Sequence, residues 1–278
     1  MAKLRKVFIA ADIEGMEGVV SGMSITRGKM DFPVGRKRLA LDVNAAIEAA
    51  FDAGAEEVVV CDGHADMENI IIEDLDERAK LISGAMRSSL QMQTIERGYD
   101  AFIMFGHSGA GETFGGVIDH CYNGRKIYNV RLNGVTMNTE AVQNAVIAGH
   151  YGTPLVAIIG DEAVCQEVKK FVPNCEGIAV KEGLGRFCAM SVHPNKARKM
   201  IYEGVTRALK RLEEIKPLKI AEPITMEIDF KDSNMAEVCE LIPGVKRINP
   251  RSITVTGDAE TIFKLHELMI FRLVDNMA

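Results

Sequence analysis

The sequence lacks several features that mark particular classes of protein. It contains no tryptophan, and its six cysteines include no Cys-x-x-Cys pair. Scattered cysteines are typical of reduced thiols and argue against a disulfide framework or a cysteine-rich zinc site. Basic residues are not in excess either, because the formal net charge is −6. Nucleic-acid and anionic-membrane partners normally require a basic face, so we predict neither partner.

Long apolar runs and phosphate-binding signatures are also missing. The first apolar run, at residues 7–11, is too short for a signal-peptide core or a membrane span, which predicts a cytoplasmic protein. No Gly-Lys-Ser/Thr phosphate loop is present, and the glycines of residues 106–116 do not have the spacing of a dinucleotide-binding fingerprint. We interpret these glycines as residues without side chains that leave space for His107 and let a substrate approach the backbone closely.

A series of apolar strands separated by helices is present instead. Buried strands are predicted at residues 7–11, 57–62, 101–105 and 154–160, and apolar spacing of three and four predicts a helix over 36–53. Strands joined in this way pair in parallel with right-handed crossovers. The predicted fold class is therefore α/β, with a largely parallel central sheet flanked by helices.

Shorter segments complete the prediction. Helices are predicted over residues 88–97, 136–150, 161–171 and 194–214, with a long loop over 16–33. Further strands are predicted at 80–82, 117–122, 127–132 and 177–180. The dipeptide Asn133-Gly134 marks a tight turn.

A domain boundary is predicted near residue 215, where a proline and flanking charges follow a long predicted helix. Beyond it, strands and helices alternate at residues 224–230, 234–241, 252–256 and 258–276. We predict a catalytic metal-site domain over residues 1–215. A small C-terminal β-α-β-α domain over 216–278 is expected to pack on it.

Polar side chains follow three of the predicted strands. Asp12 and Glu14 come after the first strand, two positions apart and so on the same side of an extended chain. Asp62 and His64 follow the second strand, and His107 follows the third. The carboxyl ends of parallel strands form one edge, where ligand sites of open α/β sheets lie. We expect these side chains to converge there.

Two neighbouring carboxylates repel each other unless a metal ion or a Lys/Arg side chain lies between them. Histidine nitrogens and carboxylate oxygens suit zinc, and two-ion sites commonly share a bridging carboxylate. With Glu140, at the start of a predicted helix, the strand ends supply enough ligands for two ions. Alternatively, each histidine is an ordinary hydrogen-bonded loop residue, and Glu140 only favours the helix dipole. Both interpretations stay open at this point.

The chain resembles the DppA-type zinc D-aminopeptidases, a metallopeptidase family with a two-zinc site. The family signature Ser-x-Asp-x-Glu-Gly corresponds to residues 10–15, with Ala10 in place of the serine. The likeness covers nearly the whole chain and continues through Asp62-Gly63-His64, Leu81-Ile82-Ser83-Gly84, Gly106-His107, Gly116-Val117-Ile118-Asp119-His120, and Glu140 with Asn144. The segment 108–119 is longer than the family's usual form, which bears on specificity.

The resemblance implies a role for each ligand. Asp12 would bridge two zinc ions. Glu14 and His64 would complete one site, and His107 and Glu140 would complete the other. The loss of the signature serine at Ala10 removes a hydrogen bond near the site without removing a ligand.

His120 matches the histidine proposed as the catalytic residue of the family. The resemblance implies a metal-dependent aminopeptidase that removes amino-terminal residues, D-amino acids included, from short peptides. It also implies ring-like homo-oligomers, with a decamer as the expected assembly. Two alternatives remain at this stage: a two-metal hydrolase of another class, such as a phosphoesterase, and a non-catalytic metal-binding protein.

Overall fold

Two β-sheets form the frame of the protein in the computed structural model, which describes residues 4–274. The strands in chain order are β1 (Lys6–Ala11), β2 (Glu57–Asp62), β3 (Lys80–Ile82), β4 (Ala101–His107), β5 (Ile127–Leu132), β6 (Val135–Thr136), β7 (Leu155–Asp161), β8 (Glu176–Gly185), β9 (Cys188–Ser191), β10 (Ile224–Phe230), β11 (Lys246–Asn249) and β12 (Ser252–Gly257). The first sheet has the order β3-β2-β1-β4-β7-β8-β9, and the second has the order β11-β12-β10-β5-β6.

Helices cover and connect the sheets. They are α1 (Gly22–Ile25), α2 (Phe32–Asp52), α3 (Glu140–His150), α4 (Glu162–Lys169), α5 (Pro194–Lys210), α6 (Ser233–Cys239) and α7 (Ala259–Glu267). Helices α2 and α5 pack against each other, while α3 contacts β4 and β7. None of the described helices combines the length and the hydropathy that a membrane crossing requires.

The first sheet confirms the predicted fold class. Its strands pair in parallel from β3 through β8, and only β9 is antiparallel. The apolar runs form strands because β1 and β4 lie in the middle of the sheet, where both faces are covered and continuous apolar sequence is favoured. The chain moves outward from β1 in one direction and from β4 in the other. The β1–β4 edge is therefore a topological switch point, where ligands bind in such sheets.

The second sheet is antiparallel and combines distant parts of the chain. Strand β10 lies between β12 and β5. The hairpin from β5 to β6 turns at Asn133 and Gly134, whose φ angles of 51° and 77° confirm the predicted tight turn. Strands from both sides of residue 215 belong to this sheet. The domain boundary near residue 215 stays a prediction.

One predicted helix and one predicted strand are wrong. Residues 88–97 form two 3-10 turns, Leu90–Met92 and Ile95–Arg97, in place of a helix, because Leu90 and Thr94 have positive φ angles. The strand predicted at residues 117–122 is absent from the described chain, because Ile118 and Tyr122 also have positive φ and cannot continue an extended conformation.

The predicted loop over residues 16–33 contains α1 and the first residues of α2. The helices predicted over residues 136–150 and 194–214 are shorter in the structure than predicted, because α3 begins at Glu140 and α5 ends at Lys210. The last helix continues as a π-helix, Leu268–Leu273. Its predicted end at residues 275–276 lies outside the described residues, as do residues 1–3 at the amino terminus.

Candidate metal centre

The ends of β1 and β4 are joined by backbone hydrogen bonds at the switch point. The N–H of Asp12 donates to the carbonyl of Phe105 at 2.7 Å, and the N–H of Gly15 donates to that of Gly106 at 2.6 Å. A Cβ atom on Gly15 would lie 2.0 Å from the carbonyl oxygen of His107. Glycine is therefore required at position 15 so that Asp12 and His107 can lie side by side.

One group of buried side chains that could hold a metal ion contains Asp12, Glu14 and His64. The Nδ1 atom of His64 lies 3.0 Å from Asp12 Oδ1 and 3.0 Å from Glu14 Oε1. The Nε2–H of His64 donates to the carbonyl oxygen of Ile25 in α1, at 2.7 Å. This hydrogen bond fixes the ring and leaves Nδ1 as the ligand atom.

A second group contains Asp12, His107 and Glu140. The Nδ1 atom of His107 lies 3.6 Å from Asp12 Oδ2 and 3.6 Å from Glu140 Oε2. Within each group the three ligand atoms lie within 4.8 Å of one another. Asp12 thus directs Oδ1 toward the first group and Oδ2 toward the second, as a bridging carboxylate does.

The site concentrates negative charge in a buried position. Burial and repulsion from Glu14 raise the pKa of Asp12. Burial alone would raise the pKa of Glu14, but attraction from His64 and hydrogen bonds with Asp12 and His64 lower it. Burial alone would lower the pKa of His64, yet the two carboxylates raise it well above its ordinary value.

Among residues 4–274, only histidines form ion pairs with the carboxylates of Asp12, Glu14 and Glu140. This favours the metal interpretation over a Lys/Arg partner. Nitrogen and oxygen donors in two groups that share a carboxylate fit a pair of zinc ions.

Glu140 is held by side chains around the second group. Gln91 Nε2 donates to Glu140 Oε2 at 2.7 Å, and Asn144 Nδ2 donates to Gln91 Oε1 at 2.8 Å. The backbone N–H of Tyr122 donates to Glu140 Oε1 at 2.8 Å. Such contacts orient metal ligands. Sequence reasoning missed Gln91, because it lies in a 3-10 turn within the segment predicted as a helix.

His120 lies beside the second group on an irregular segment. Its Nδ1–H donates to the carbonyl of Ile118 at 2.7 Å, and its Nε2 lies 3.7 Å from Glu140 Oε1. Burial alone would lower the pKa of His120, but the charges of Glu14 and Glu140 raise it. His120 and Glu14 both line a cavity of about 970 Å³, so the imidazole faces the space beside the ligands.

Asp62 does not join the ligands, although it ends a neighbouring strand. Its carboxylate accepts hydrogen bonds from the backbone N–H groups of Asn69 and Ile70 and from the Asn69 side chain. Asn69 Nδ2 also donates to the carbonyl of His64 at 2.6 Å. Asp62 therefore orders the loop that carries His64.

Comparison with known proteins identifies the relatives of this chain. Residues 5–270 match the family model of peptidase M55, described as D-aminopeptidase. The D-aminopeptidase of Bacillus subtilis (strain 168) is 28% identical over 268 residues, which are 95% of each chain. The structure of the Zn-dependent D-aminopeptidase DppA from Bacillus subtilis, a self-compartmentalizing protease, superposes with a TM-score of 0.91 at 25% identity, over 95% of this chain and 96% of that one. The chain therefore belongs to the D-aminopeptidase family, peptidase M55, and is a metal-dependent aminopeptidase.

Proposed function

We propose that this protein removes amino-terminal residues, D-amino acids in particular, from short peptides with the help of two zinc ions per subunit. The observation that carries the proposal is the shared carboxylate. Asp12 presents one oxygen to Glu14 and His64 and the other to His107 and Glu140. Zinc bound by such donors polarises a carbonyl oxygen and lowers the pKa of water toward roughly 7.

His120 is proposed as the residue that transfers the proton. Its Nδ1–H is engaged with Ile118, so Nε2 is the nitrogen that can accept or donate a proton on the cavity side. That proton can pass from the attacking water to the leaving amine as the peptide bond breaks, as in general acid–base catalysis. Glu14 lines the same cavity and can attract the free amino group of a substrate.

The size of the cavity supports short peptides as substrates. Its volume of about 970 Å³ lies at the upper end of the range of about 300–1,000 Å³ that is typical of small-molecule sites. Helix α1 contributes Gly22 and Ile25 to one wall. A peptide of a few residues fits this volume.

Assembly and location are further parts of the proposal. The related DppA is described as a self-compartmentalizing protease, which supports a ring-like homo-oligomer, with a decamer as the expected form. Enclosure of the active sites would exclude folded proteins and agrees with short substrates. A cytoplasmic location stays a prediction.

Metal analysis combined with a substrate panel tests this function. Protein purified without a His tag and equilibrated with zinc should contain two zinc ions per chain. It should hydrolyse D-alanyl peptides, with activity that a chelator removes and zinc restores. Hydrolysis of aryl phosphates in place of peptides would identify a phosphoesterase. Bound zinc without hydrolysis of any D- or L-aminoacyl peptide would identify a non-catalytic metal-binding protein.

A further inference from the structure

Two exposed cations, Arg125 and Lys231, line the cavity that contains His120. Among the residues that the structure describes, neither side chain forms an ion pair with a carboxylate. The third cation on the cavity wall differs. Arg186 Nε lies 2.5 Å from Asp119 Oδ1, so a neighbouring carboxylate balances its charge. Arg125 and Lys231 are therefore arginine and lysine side chains of the cavity wall that have no ion-pair partner among the described residues.

Arg125 and Lys231 lie on or against the segment that carries His120. Gly124 packs against His120, because a Cβ atom on Gly124 would lie 2.6 Å from His120 Cβ. The ammonium of Lys231 donates a hydrogen bond to the carbonyl of Gly124. The backbone N–H of Lys231 donates to the carbonyl of Lys126 at 2.8 Å. Arg125 follows Gly124 directly. The two charges thus belong to the segment that supports His120, and neither contacts a metal ligand.

The cavity is chemically two-sided as a result. On one side, metal ions held by Asp12, Glu14 and Glu140 would suit the scissile carbonyl oxygen of a substrate, and the Glu14 carboxylate suits its free amine. Arg125 and Lys231 suit an anion. An unblocked short peptide carries a single obligatory anion, its terminal carboxylate, which a guanidinium can bind through two parallel hydrogen bonds.

We propose that Arg125 and Lys231 bind the free terminal carboxylate of the peptide substrate. This inference rests on the proposed aminopeptidase function. Both side chains are exposed, which limits the strength of each contact to about 1 kcal/mol.

The test compares D-alanyl-D-alanine with its carboxamide, which has the same shape without the negative charge. For the free dipeptide, Arg125→Gln and Lys231→Met should each raise KM up to about fivefold, and the double variant should raise it further. For the carboxamide, Arg125→Gln should equal the wild type in KM and kcat. Lys231→Met also removes the hydrogen bond to Gly124, so its test is a larger rise in KM for the acid than for the amide. The exposed Lys210→Gln, at the end of α5, removes a remote charge and serves as the matched control.

Two further measurements separate this inference from the function itself. D-alanine p-nitroanilide has no carboxylate, so Arg125→Gln should hydrolyse it at the wild-type rate. Calorimetric titration of zinc-loaded protein with both dipeptides measures binding without turnover. If the wild type hydrolyses none of these compounds, the proposed function fails, and the titration still decides the carboxylate site. Equal losses for acid and amide, or an unchanged double variant, would overturn the inference.

Discussion

The buried ammonium of Lys181 donates hydrogen bonds to the backbone carbonyls of Glu14 and Val19. Burial lowers the pKa of Lys181 to about 8, against the opposing charges of Asp161, Glu14 and Glu17. Lys181 lies in β8, three strands away from β1 in the sheet. A distant strand therefore supports the loop that carries Glu14, one of the proposed metal ligands, and this makes Lys181 a positioning residue in the proposed site.

Replacing Lys181 with methionine should loosen that loop while keeping the apolar stem of the side chain. Two backbone carbonyls lose their donor, which costs about 1–3 kcal/mol of folding free energy. Zinc affinity should fall about 10- to 100-fold, as for other residues that orient ligands. Competition with a chromophoric chelator measures the affinity. Lys199→Met on the exposed face of α5 is the control, and equal affinities in the two variants would contradict the role of Lys181.

The three histidines of the site should give two different phenotypes. His64→Ala and His107→Ala each remove a nitrogen ligand, so both variants should lose zinc together with activity. His120→Ala removes a proton-transfer group, so it should retain zinc and lose about 10²- to 10⁴-fold in kcat. Zinc content by elemental analysis, measured beside hydrolysis of a D-alanyl peptide, separates the two. Loss of zinc from the His120 variant would make that residue a ligand.

The strands that precede the proposed metal ligands could be predicted closely, because an apolar run in the sequence identifies each of them locally. A strand in the middle of a parallel sheet is buried on both faces, so β1, β2 and β4 appear as apolar runs in the sequence. Parallel pairing then brings the residues after each run to one edge. Asp12, Glu14, His64 and His107 lie together for this reason, and the resemblance added Glu140.

The residues that were missed depend on contacts between distant parts of the chain. Lys181 is 167 residues from Glu14, and Gln91 is 49 residues from Glu140. No periodicity encodes such pairs. The segment 117–122 has the apolar content of a strand, but hydrogen bonds to other elements give it an irregular conformation. Long-range contacts therefore decide the parts of the site that local patterns predict poorly.

Asp161 provides one of those contacts and offers a direct test. Its carboxylate accepts hydrogen bonds from the backbone N–H groups of Gly109, Val117 and Val164 at 2.8–3.2 Å. Asp161→Asn removes the charge that strengthens them, so the free energy of unfolding should fall by about 1–3 kcal/mol. Urea unfolding measures the loss, and limited proteolysis should cut within residues 108–117 sooner. The exposed Glu162→Gln is the control, and matching stabilities would refute this role.

His266 should make the fold sensitive to acid. Neither ring nitrogen has a hydrogen-bond partner among the described residues, and the ring packs edge-on against Tyr122 with centroids 4.8 Å apart. Burial lowers the pKa of His266 from 6.5 to about 3. The unfolded chain therefore binds a proton at His266 near pH 6.5, whereas the folded chain does not. The free energy of unfolding keeps its full value above pH 6.5 and decreases as the pH falls toward 3.

The variant His266→Phe keeps an aromatic ring at this position and removes the nitrogen atoms that bind the proton. Below pH 6.5 the wild type should lose stability relative to this variant by up to about 1.4 kcal/mol per pH unit. Urea unfolding of chelator-treated protein between pH 8 and pH 4 measures the difference and removes the contribution of bound metal. The values at pH 8 give the packing cost of the substitution alone. Parallel pH profiles for the two proteins would show that His266 accepts its proton in the folded state as readily as in the unfolded one.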